Sequence, residues 1–411
     1  MAGFASEVKH FMGDRGMSLR GLAKASGYDP SYLSKVLNGR KPFSAYMAKR
    51  IDDALGAEGK IRAAAQEAPP RTGEKVRAAG RKPSRAVEAL QVTMAGDPAG
   101  PDIGGDGLAE LVLHYAHALA VRPSPAVYDE LLSTRRFAGM LLGSAGSRQR
   151  ADLTVTVGWL SSLLAVSAAD LGDHAAAIVW CTDSERHGRG AGYPELLGWA
   201  ALTRSLIAWY QGDPLRSATV ARRGQKDGLP GSVAHAKLAA HEMRCLAMLG
   251  DVDGMADARR RAAAAMVHLG PSVPVTGVYS VPRADDPPYI ATSLLLVGRY
   301  DEAAEMTRRV IDTAYRPQSG APGDQPTHYA RTLLILALAA AGLGELDEAA
   351  ATGVAALECG RVVWPTLVLA GKLDRSLAWR SPGATHATDF HERYINASAR
   401  LALSASHLAA T

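Results

Sequence analysis

Five short segments of similar design recur along the C-terminal part of this chain. They read LGDHAAA, QGDPLRSA, LGDVDGMA, VGRYDEAA and LGELDEAA, each with a Gly before a mostly charged residue and an Ala about five residues later. The glycines, at positions 172, 212, 250, 298 and 344, lie 40, 38, 48 and 46 residues apart, and the two longer intervals contain the Pro-rich stretches 269–289 and 315–327. Periods of this length with two helices per repeat are typical of an α-solenoid.

The composition agrees with helical repeats in a globular protein. The chain has 411 residues, of which 47% are hydrophobic, 21% charged and only 6% aromatic, which favours packed helices over β-sandwiches. Its three cysteines are widely separated and have no metal-type spacing, so we expect reduced thiols and a cytoplasmic location. No signal-peptide core is present and no apolar run approaches the ~20 residues of a bilayer span, so no membrane role is expected.

The repeated region resembles the tetratricopeptide repeat family. The resemblance is best around Gly298 and Gly344, fair around Gly172, and shifted by one residue at Ala218 and Ala256. It implies an all-α fold in which residues 108–411 form a solenoid for ligand binding and dimerisation. Projected onto this chain, the family's groove positions are Trp159, Trp199, Trp209, Lys237, Arg244 and Arg331.

These wall residues combine aromatic rings with cations. Such a surface suits an extended peptide, its carboxylate, or an acidic or aromatic small molecule. A purely structural role for the tryptophans, as core residues at helical spacing, is the alternative interpretation.

A second pattern occupies the N-terminus, where residues 1–65 carry short amphipathic segments. Ser18 can cap a helix that ends near Ser26, and Asp29-Pro30 is a strong helix start. Leu33 and Val36 are spaced to face a core, and a small residue, Ala23, stands where two helices would cross. These features predict a helix-turn-helix whose second helix is free to enter the major groove.

The stretch SLRGLAKASGYDPSYLSKVLNGRKP resembles the λ-repressor-like, or XRE-type, DNA-binding domain. By position, the resemblance implies that Ser31, Tyr32, Ser34 and Lys35 reach base edges. Ser18, Arg20, Arg40 and Lys41 would then contact phosphates. Leu19 and Pro30 depart from the family pattern, because each stands where a DNA-contacting Gln is common. The alternative is that Tyr32 and Lys35 only pack and are solvated.

Charge is divided unevenly between the two regions. Residues 1–90 carry 17 basic and 9 acidic side chains, whereas the remainder carries 29 and 32. A polyanion such as double-stranded DNA would therefore bind at the N-terminal end. Between the regions, residues 66–107 are rich in Pro, Gly and charge, and we interpret them as a linker with at most one short helix.

None of the segments that suggest an enzymatic motif carries the complete pattern. HEMRC, residues 241–245, departs from the zinc-protease pattern because Cys245 replaces the second His. HYAH, with His114 and His117, and HATDFHE, with His386, His391 and Glu392, are ordinary surface or inter-helix histidines by default. We therefore expect no catalytic residues, no metal site and no cofactor.

The two regions together resemble bacterial transcription regulators of the quorum-sensing kind. The resemblance implies a cytoplasmic homodimer that binds a DNA operator and responds to a peptide or small-molecule effector. The alternative is an interaction scaffold, or a regulator controlled by a partner protein without a small ligand.

Overall fold

The chain divides into two compact helical units in a computed structural model. The units span residues 1–82 and 83–411. The structure describes residues 2–26, 28, 30–38, 45–67, 84–96, 100–122, 124–270, 273, 277–281, 289–315 and 325–409. These residues form helices, turns and irregular segments, and none of them lies in a strand. The expected all-α fold is confirmed.

The first unit is a bundle of five short helices. They are α1 (Ala2–Asp14), α2 (Leu19–Ser26), α3 (Pro30–Leu37), α4 (Ala45–Leu55) and α5 (Lys60–Glu67). Their apolar faces meet in one core around Phe4, Leu22, Leu33 and Ile51, all at most 1% exposed. Leu33 and Val36 face inward as the sequence predicted, so the opposite face of α3 is left outside the core.

Polar caps fix where these helices begin. The Ser18 side chain accepts a hydrogen bond from the backbone N–H of Gly21 at 3.1 Å, which starts α2 as expected. The buried Asp52 accepts bonds from the backbone N–H groups of Gly59, Ile61 and Arg62 at 2.8, 3.0 and 3.3 Å, which fixes the start of α5. The unit therefore satisfies the helix ends that would otherwise leave donors unpaired.

The second unit contains fifteen α-helices among its described residues. They are α6 (Arg85–Gly96), α7 (Gly100–Val121), α8 (Ser124–Ser144), α9 (Ser147–Asp170), α10 (His174–Ala191), α11 (Pro194–Tyr210), α12 (Pro214–Asp227), α13 (Val233–Met248), α14 (Val252–Val267), α15 (Ile290–Leu296), α16 (Tyr300–Val310), α17 (Pro326–Leu343), α18 (Leu346–Leu357), α19 (Trp364–Arg380) and α20 (Thr385–Ala409). A π-helical turn, Ile311–Tyr315, follows α16.

The five glycines that define the sequence repeat all lie between paired helices. Each has a positive φ, from 75° at Gly250 to 92° at Gly344, where a residue with a Cβ would be strained. The Asp that follows three of them caps the next helix, since Asp173, Asp213 and Asp251 each accept a bond from a backbone N–H three residues on. The Gly-Asp pair thus ends one helix and starts the next.

The repeat register differs from the predicted one in the third pair. Ala256 is exposed, whereas Met255 and Ala258 are buried against the core. In the second pair, Ala218 is buried at 2% exposure. The small residue that packs in α14 is therefore Ala258, two positions after the Ala256 that the repeat pattern marked.

Part of the segment interpreted as a linker belongs to the second unit. Within residues 66–107, α6 and the start of α7 are helical, and Val87 and Leu90 are buried in the same core as Leu108 and Tyr115.

Helix α9 is long and apolar enough over Gln149–Asp170 to cross a membrane, but 67% of that window is buried inside the second unit. Such burial is typical of a core helix.

The odd-numbered helices from α9 to α19 form a closed ring. Each contacts the next one in the series, and α19 returns to contact α9, while α17 also contacts α7. The sequence predicted an open concave groove, so this closure is a structural finding. The even-numbered helices α10, α12, α14, α16 and α18 connect successive members of the ring.

A buried ion pair joins the two ends of the ring. Arg361, between α18 and α19, donates to Asp170 at the end of α9 over 2.8 Å, and to Ser124 and Thr327 over 2.7 and 2.8 Å. The side chains of Arg361 and Asp170 are 5% and 13% exposed. Trp364 adds an edge contact with His174, their ring centroids 4.1 Å apart.

Removing one member of the Arg361–Asp170 pair should destabilise the second unit. We expect Arg361→Met to lower the free energy of unfolding by about 3–5 kcal/mol, because Asp170 is left buried without its counter-charge. Arg361→Met/Asp170→Asn should regain part of that loss. The measurement is urea denaturation followed by circular dichroism.

The control removes an exposed arginine of similar chemistry. Arg393 pairs with Glu358 where both side chains are about half exposed, so Arg393→Met should change the free energy of unfolding by less than about 1 kcal/mol. Equal losses for Arg361→Met and Arg393→Met would contradict a special role for the buried pair.

Candidate functional site

One candidate site is the outer face of α3 in the first unit. Ser31 and Lys35 are exposed and Ser34 is half-buried, whereas Leu33 and Val36 on the other face are buried. The structure thus leaves three of the four predicted base-reading side chains accessible along one helix. The side chain of the fourth, Tyr32, lies outside the described residues.

The predicted phosphate contacts are only partly described. Ser18 and Arg20 are exposed at the start of α2, where the Ser18 side chain also serves as the helix cap. Arg40 and Lys41 lie outside the described residues. An exposed guanidinium beside a helix N-terminus is suited to a phosphate, since both attract negative charge.

The second candidate site is a cavity of about 370 Å³ within the ring of the second unit. Its wall takes residues from α7, α9, α11, α13, α15, α16, α17 and α19. Five of the six predicted wall residues line it: Trp199, Trp209, Lys237, Arg244 and Arg331. The closed ring therefore brings together side chains that are up to 132 positions apart in sequence.

Trp159 is the predicted wall residue that does not line the cavity. Its ring packs edge-on against Tyr193 and Tyr279, with centroid distances of 6.2 and 4.9 Å. Tyr279 in turn contacts Trp199 at 4.6 Å. Trp159 thus supports the wall from behind, because an aromatic cluster separates it from the cavity.

Lys237 is buried in the wall of the cavity without an acidic partner among the described residues. The residue is 8% exposed, and its ammonium lies 5.4 Å from the centre of the Trp199 ring. Burial, with a smaller contribution from Arg331, lowers the pKa of Lys237 from 10.5 to about 7. At neutral pH this amine is therefore poised between its charged and neutral forms.

Arg244 is held between aromatic rings. Its guanidinium lies 3.9 Å from the centre of the Trp209 ring and 4.2 Å from that of Tyr289. It donates to Nδ1 of His241 at 3.2 and 2.8 Å, and burial together with this cation lowers the pKa of His241 well below its usual value. The neutral ring can then accept these bonds. Arg244 is 3% exposed and fixed in place.

Arg331, on α17, is the third of the predicted cations that line the cavity. Burial alone would raise the pKa of the Tyr210 hydroxyl, but Arg331 and Arg244 outweigh it and lower that pKa. Arg331 also donates to the backbone carbonyl of Thr327 at 3.3 Å. In the part of the chain that the structure describes, no carboxylate lies within ion-pair distance of Arg331, Arg244 or Lys237.

Two buried donors of the cavity wall have no acceptor in the described structure, the indole N–H of Trp209 and the Nε–H of Arg361. Nδ1 of His328 is also buried without a partner, and it donates or accepts according to the tautomer of the neutral ring. All three residues belong to the wall. Buried donors without acceptors cost free energy, about 1–3 kcal/mol each. An oxygen-rich, negatively charged ligand supplies both the acceptors and the counter-charge.

Sequence reasoning missed the contribution of Arg361 and Asp170. Both line the cavity, but they pair with each other across 191 positions. Asp170 lies two residues before the repeat glycine Gly172, and a charged residue at the apolar end of a repeat helix is the signal that could have drawn attention to it.

Three residues of the HEMRC motif, His241, Glu242 and Cys245, contact neighbouring helices. His241 is fully buried beside Ser217, with Nε2 3.1 Å from the Ser217 hydroxyl. Glu242 is paired with Arg222 and Arg261 at 2.6 and 3.0 Å, and Cys245 donates to Ser217 at 3.1 Å. Each side chain is thus committed to a neighbouring helix.

The other histidines of interest are dispersed over the surface. His114, His117 and Glu392 are exposed. His386 bonds Asp347 at 2.7 Å and His391 bonds Asp374 at 3.0 Å, which are contacts between helices. Within the described ranges, no three or more His, Cys, Asp and Glu side chains form a group that could hold a metal ion.

Comparison with known proteins identifies the first unit. Residues 4–65 match the family described as helix-turn-helix domain, which confirms the predicted motif and points to a DNA-binding regulator. No curated protein matches the chain.

The buried amine of Lys237 should leave a signature in the pH dependence of stability. Its pKa is about 7 in the folded protein and 10.5 in a free side chain, so between these values the unfolded chain binds one more proton. Stability gained from this group rises with pH across that window, by at most about 1.4 kcal/mol per pH unit, and is flat outside it. We expect Lys237→Met to remove this contribution.

The measurement is the free energy of unfolding of the second unit by urea at pH 6, 7, 8, 9 and 10. The difference in the free energy of unfolding between the native chain and Lys237→Met should vary with pH between pH 7 and 10 and become constant below pH 7. Lys226→Met, which removes an exposed lysine of α12, should give a constant difference. A constant difference for Lys237→Met as well would contradict the assignment.

Proposed function

We propose that this protein is a cytoplasmic transcription regulator whose tetratricopeptide-like second unit binds a small anionic effector. The observation that carries the proposal is the cavity, which is lined by the buried Lys237 and Arg244 and the half-buried Arg331 together with aromatic rings. None of these three cations has a carboxylate within ion-pair distance in the described structure, and the same chain carries a helix-turn-helix domain. DNA binding supplies the output, and occupancy of the cavity supplies the input.

The DNA-binding role is supported by the exposed face of α3. Side chains of Ser31 and Lys35 are positioned on the face of a recognition helix, and Arg20 lies at the start of the preceding helix. A helix-turn-helix head of this size covers one half-site, so specific operators are generally bound by dimers. We therefore propose a homodimer on a double-stranded operator.

The size of the cavity favours a small molecule over an extended peptide. A volume of about 370 Å³ lies within the range of small-molecule sites, about 300–1,000 Å³. An extended peptide would need a groove that continues past successive repeats, whereas here α19 contacts α9 and closes the ring. The walls offer cations and aromatic faces, which suit an acidic, flat compound.

A binding role is proposed in preference to a catalytic one. The candidate nucleophile Cys245 is buried, and desolvation raises the pKa of its thiol. Its neighbour His241 is fixed between Arg244 and Ser217. Recognition, without bond chemistry, is what this constellation supports best.

DNA binding is tested first by recovering genomic fragments that the full chain retains. With such a fragment, Arg20→Ala should weaken binding and lower the slope of log affinity against log salt by about 1, because one phosphate contact is lost. The measurement is a mobility-shift titration between low and moderate salt.

A matched arginine serves as the control. Arg62 is exposed on α5, so Arg62→Ala should leave the slope unchanged if α2 and α3 form the DNA-binding face. The same loss of slope for both variants would show general charge attraction instead. Failure to retain any fragment would favour the scaffold alternative.

A further inference from the structure

We propose that the effector is a flat organic dianion, and that Lys237 takes up one proton when it binds. The proposal rests on the proposed function, since it names the chemistry of the ligand for the same cavity. It is argued from the number and spacing of the fixed charges, from the aromatic faces beside them, and from the surroundings of Lys237.

The count of permanent charges sets the charge of the ligand. A guanidinium is a permanent cation in proteins. Neither Arg244 nor Arg331 has a carboxylate within ion-pair distance in the described structure, although Asp170 acts on Arg331 from a longer range. The two other guanidiniums of the wall already have carboxylate partners, since Arg361 pairs with Asp170 at 2.8 Å and Arg309 with Glu305 at 3.3 Å. Two negative charges on a ligand would balance the positive charges of Arg244 and Arg331. A neutral or cationic ligand would leave both charges in the cavity without a counter-charge.

The arrangement of the cations separates the two acidic groups. Lys237 and Arg244 are seven residues apart on α13, which places them on one face about 10 Å apart along the helix axis. Lys237 lies over Trp199 and Arg244 lies over Trp209, so each cation is accompanied by an indole ring. Arg331, from α17, interacts electrostatically with both Lys237 and Tyr210.

The aromatic faces determine the body of the ligand. Trp199, Trp209, Tyr210 and Tyr289 all line the cavity. Arg244 already stacks on Trp209 and Tyr289, and Tyr279 packs against Trp199, so only the ring surface that faces the cavity is open to a ligand. A planar unsaturated skeleton fits beside such ring surfaces with its edges toward the cations. The indole N–H of Trp209 and the free Nδ1 of His328 provide further polar contacts at the wall.

Proton uptake follows from what surrounds Lys237. The ionisable groups that face it from α17 are Arg331 and His328, and the α13 neighbours His241 and Arg244 lie one and two turns further on. All of these are cationic or neutral, and burial lowers the pKa of Lys237 to about 7. An anion in the cavity opposes the positive field of Arg331 and so favours the ammonium form of Lys237.

The test uses benzene-1,3-dicarboxylate as the dianion and benzoate as the matched monoanion, with the full-length protein. At pH 7.5, calorimetry should give at least tenfold tighter binding for the dicarboxylate. Arg331→Met should reduce that preference at least tenfold, and Arg331→Lys should restore part of it. Equal affinities for the two probes, or no binding of either, would overturn the dianion.

The same titration at pH 7.5 and 8.5 tests the proton. Both carboxylates of the probe are ionised throughout, so uptake of one proton by the protein makes its affinity fall about tenfold over this unit of pH. Lys237→Met should bind more weakly, with an affinity that no longer varies with pH. His328→Gln should keep the tenfold fall, and a fall that disappears with His328→Gln instead would assign the proton to that ring and overturn the proposal for Lys237.

A further measurement separates this inference from the proposed function. The dicarboxylate is added to a complex of the protein with a retained DNA fragment. Binding of the probe without any change in DNA affinity leaves the dianion site intact and counts against the regulatory function. A change in DNA affinity caused by a neutral compound, with no binding of the dicarboxylate, supports regulation and overturns the dianion.

Discussion

The contact between Arg361 and Asp170 is the interaction on which the architecture of the second unit depends. It joins α9 to the loop before α19 at 2.8 Å, with Ser124 and Thr327 as further acceptors for the same guanidinium. Together with the ring contact between Trp364 and His174, it holds the loop before α19 and the start of α19 against the end of α9 and the start of α10. Because both charges are nearly buried, the bond is worth most when both partners are present and costs most when one is missing.

The wall of the cavity is poorly optimised for stability and well suited to recognition. Lys237, Arg244 and Arg331 carry like charges into the interior, and several buried donors have no acceptor in the described structure. Such groups lower the free energy of unfolding, and proteins tolerate them mainly where function requires them. Stacking on Trp209 and Tyr289 offsets part of the penalty for Arg244, since a guanidinium is more weakly hydrated than an ammonium.

The sequence predicted those features that depend on local geometry. The repeat glycines were identified because they recur in similar segments, and the positive φ of each explains why Gly is required there. The core face of α3 was identified because Leu33 and Val36 follow the helical period. Five of the residues projected from the family's groove positions line one cavity, because they lie on helices that face the inside of the ring. In α14 the small residue that packs is Ala258, whereas Ala256 is exposed, because the neighbouring helix and not the turn spacing decides which position is covered.

What the sequence could not provide was the closure, because it depends on the summed angles between many helix pairs. A small change in each angle decides whether α19 meets α9 or passes it, and no single motif encodes that sum. Trp159 was misplaced for the same kind of reason, since Tyr279 comes from a connecting segment outside the repeat pattern and takes the position next to Trp199.

Closure also changes how mechanical strain travels through the array. In an open superhelix, a change at one junction swings the free end and leaves the other junctions as they were. A closed ring of helices has no free end. If two neighbouring helices of the ring move apart, other helices of the ring must move closer together. A molecule that touches α11, α13 and α17 therefore alters the whole ring, including the side farthest from its own contacts.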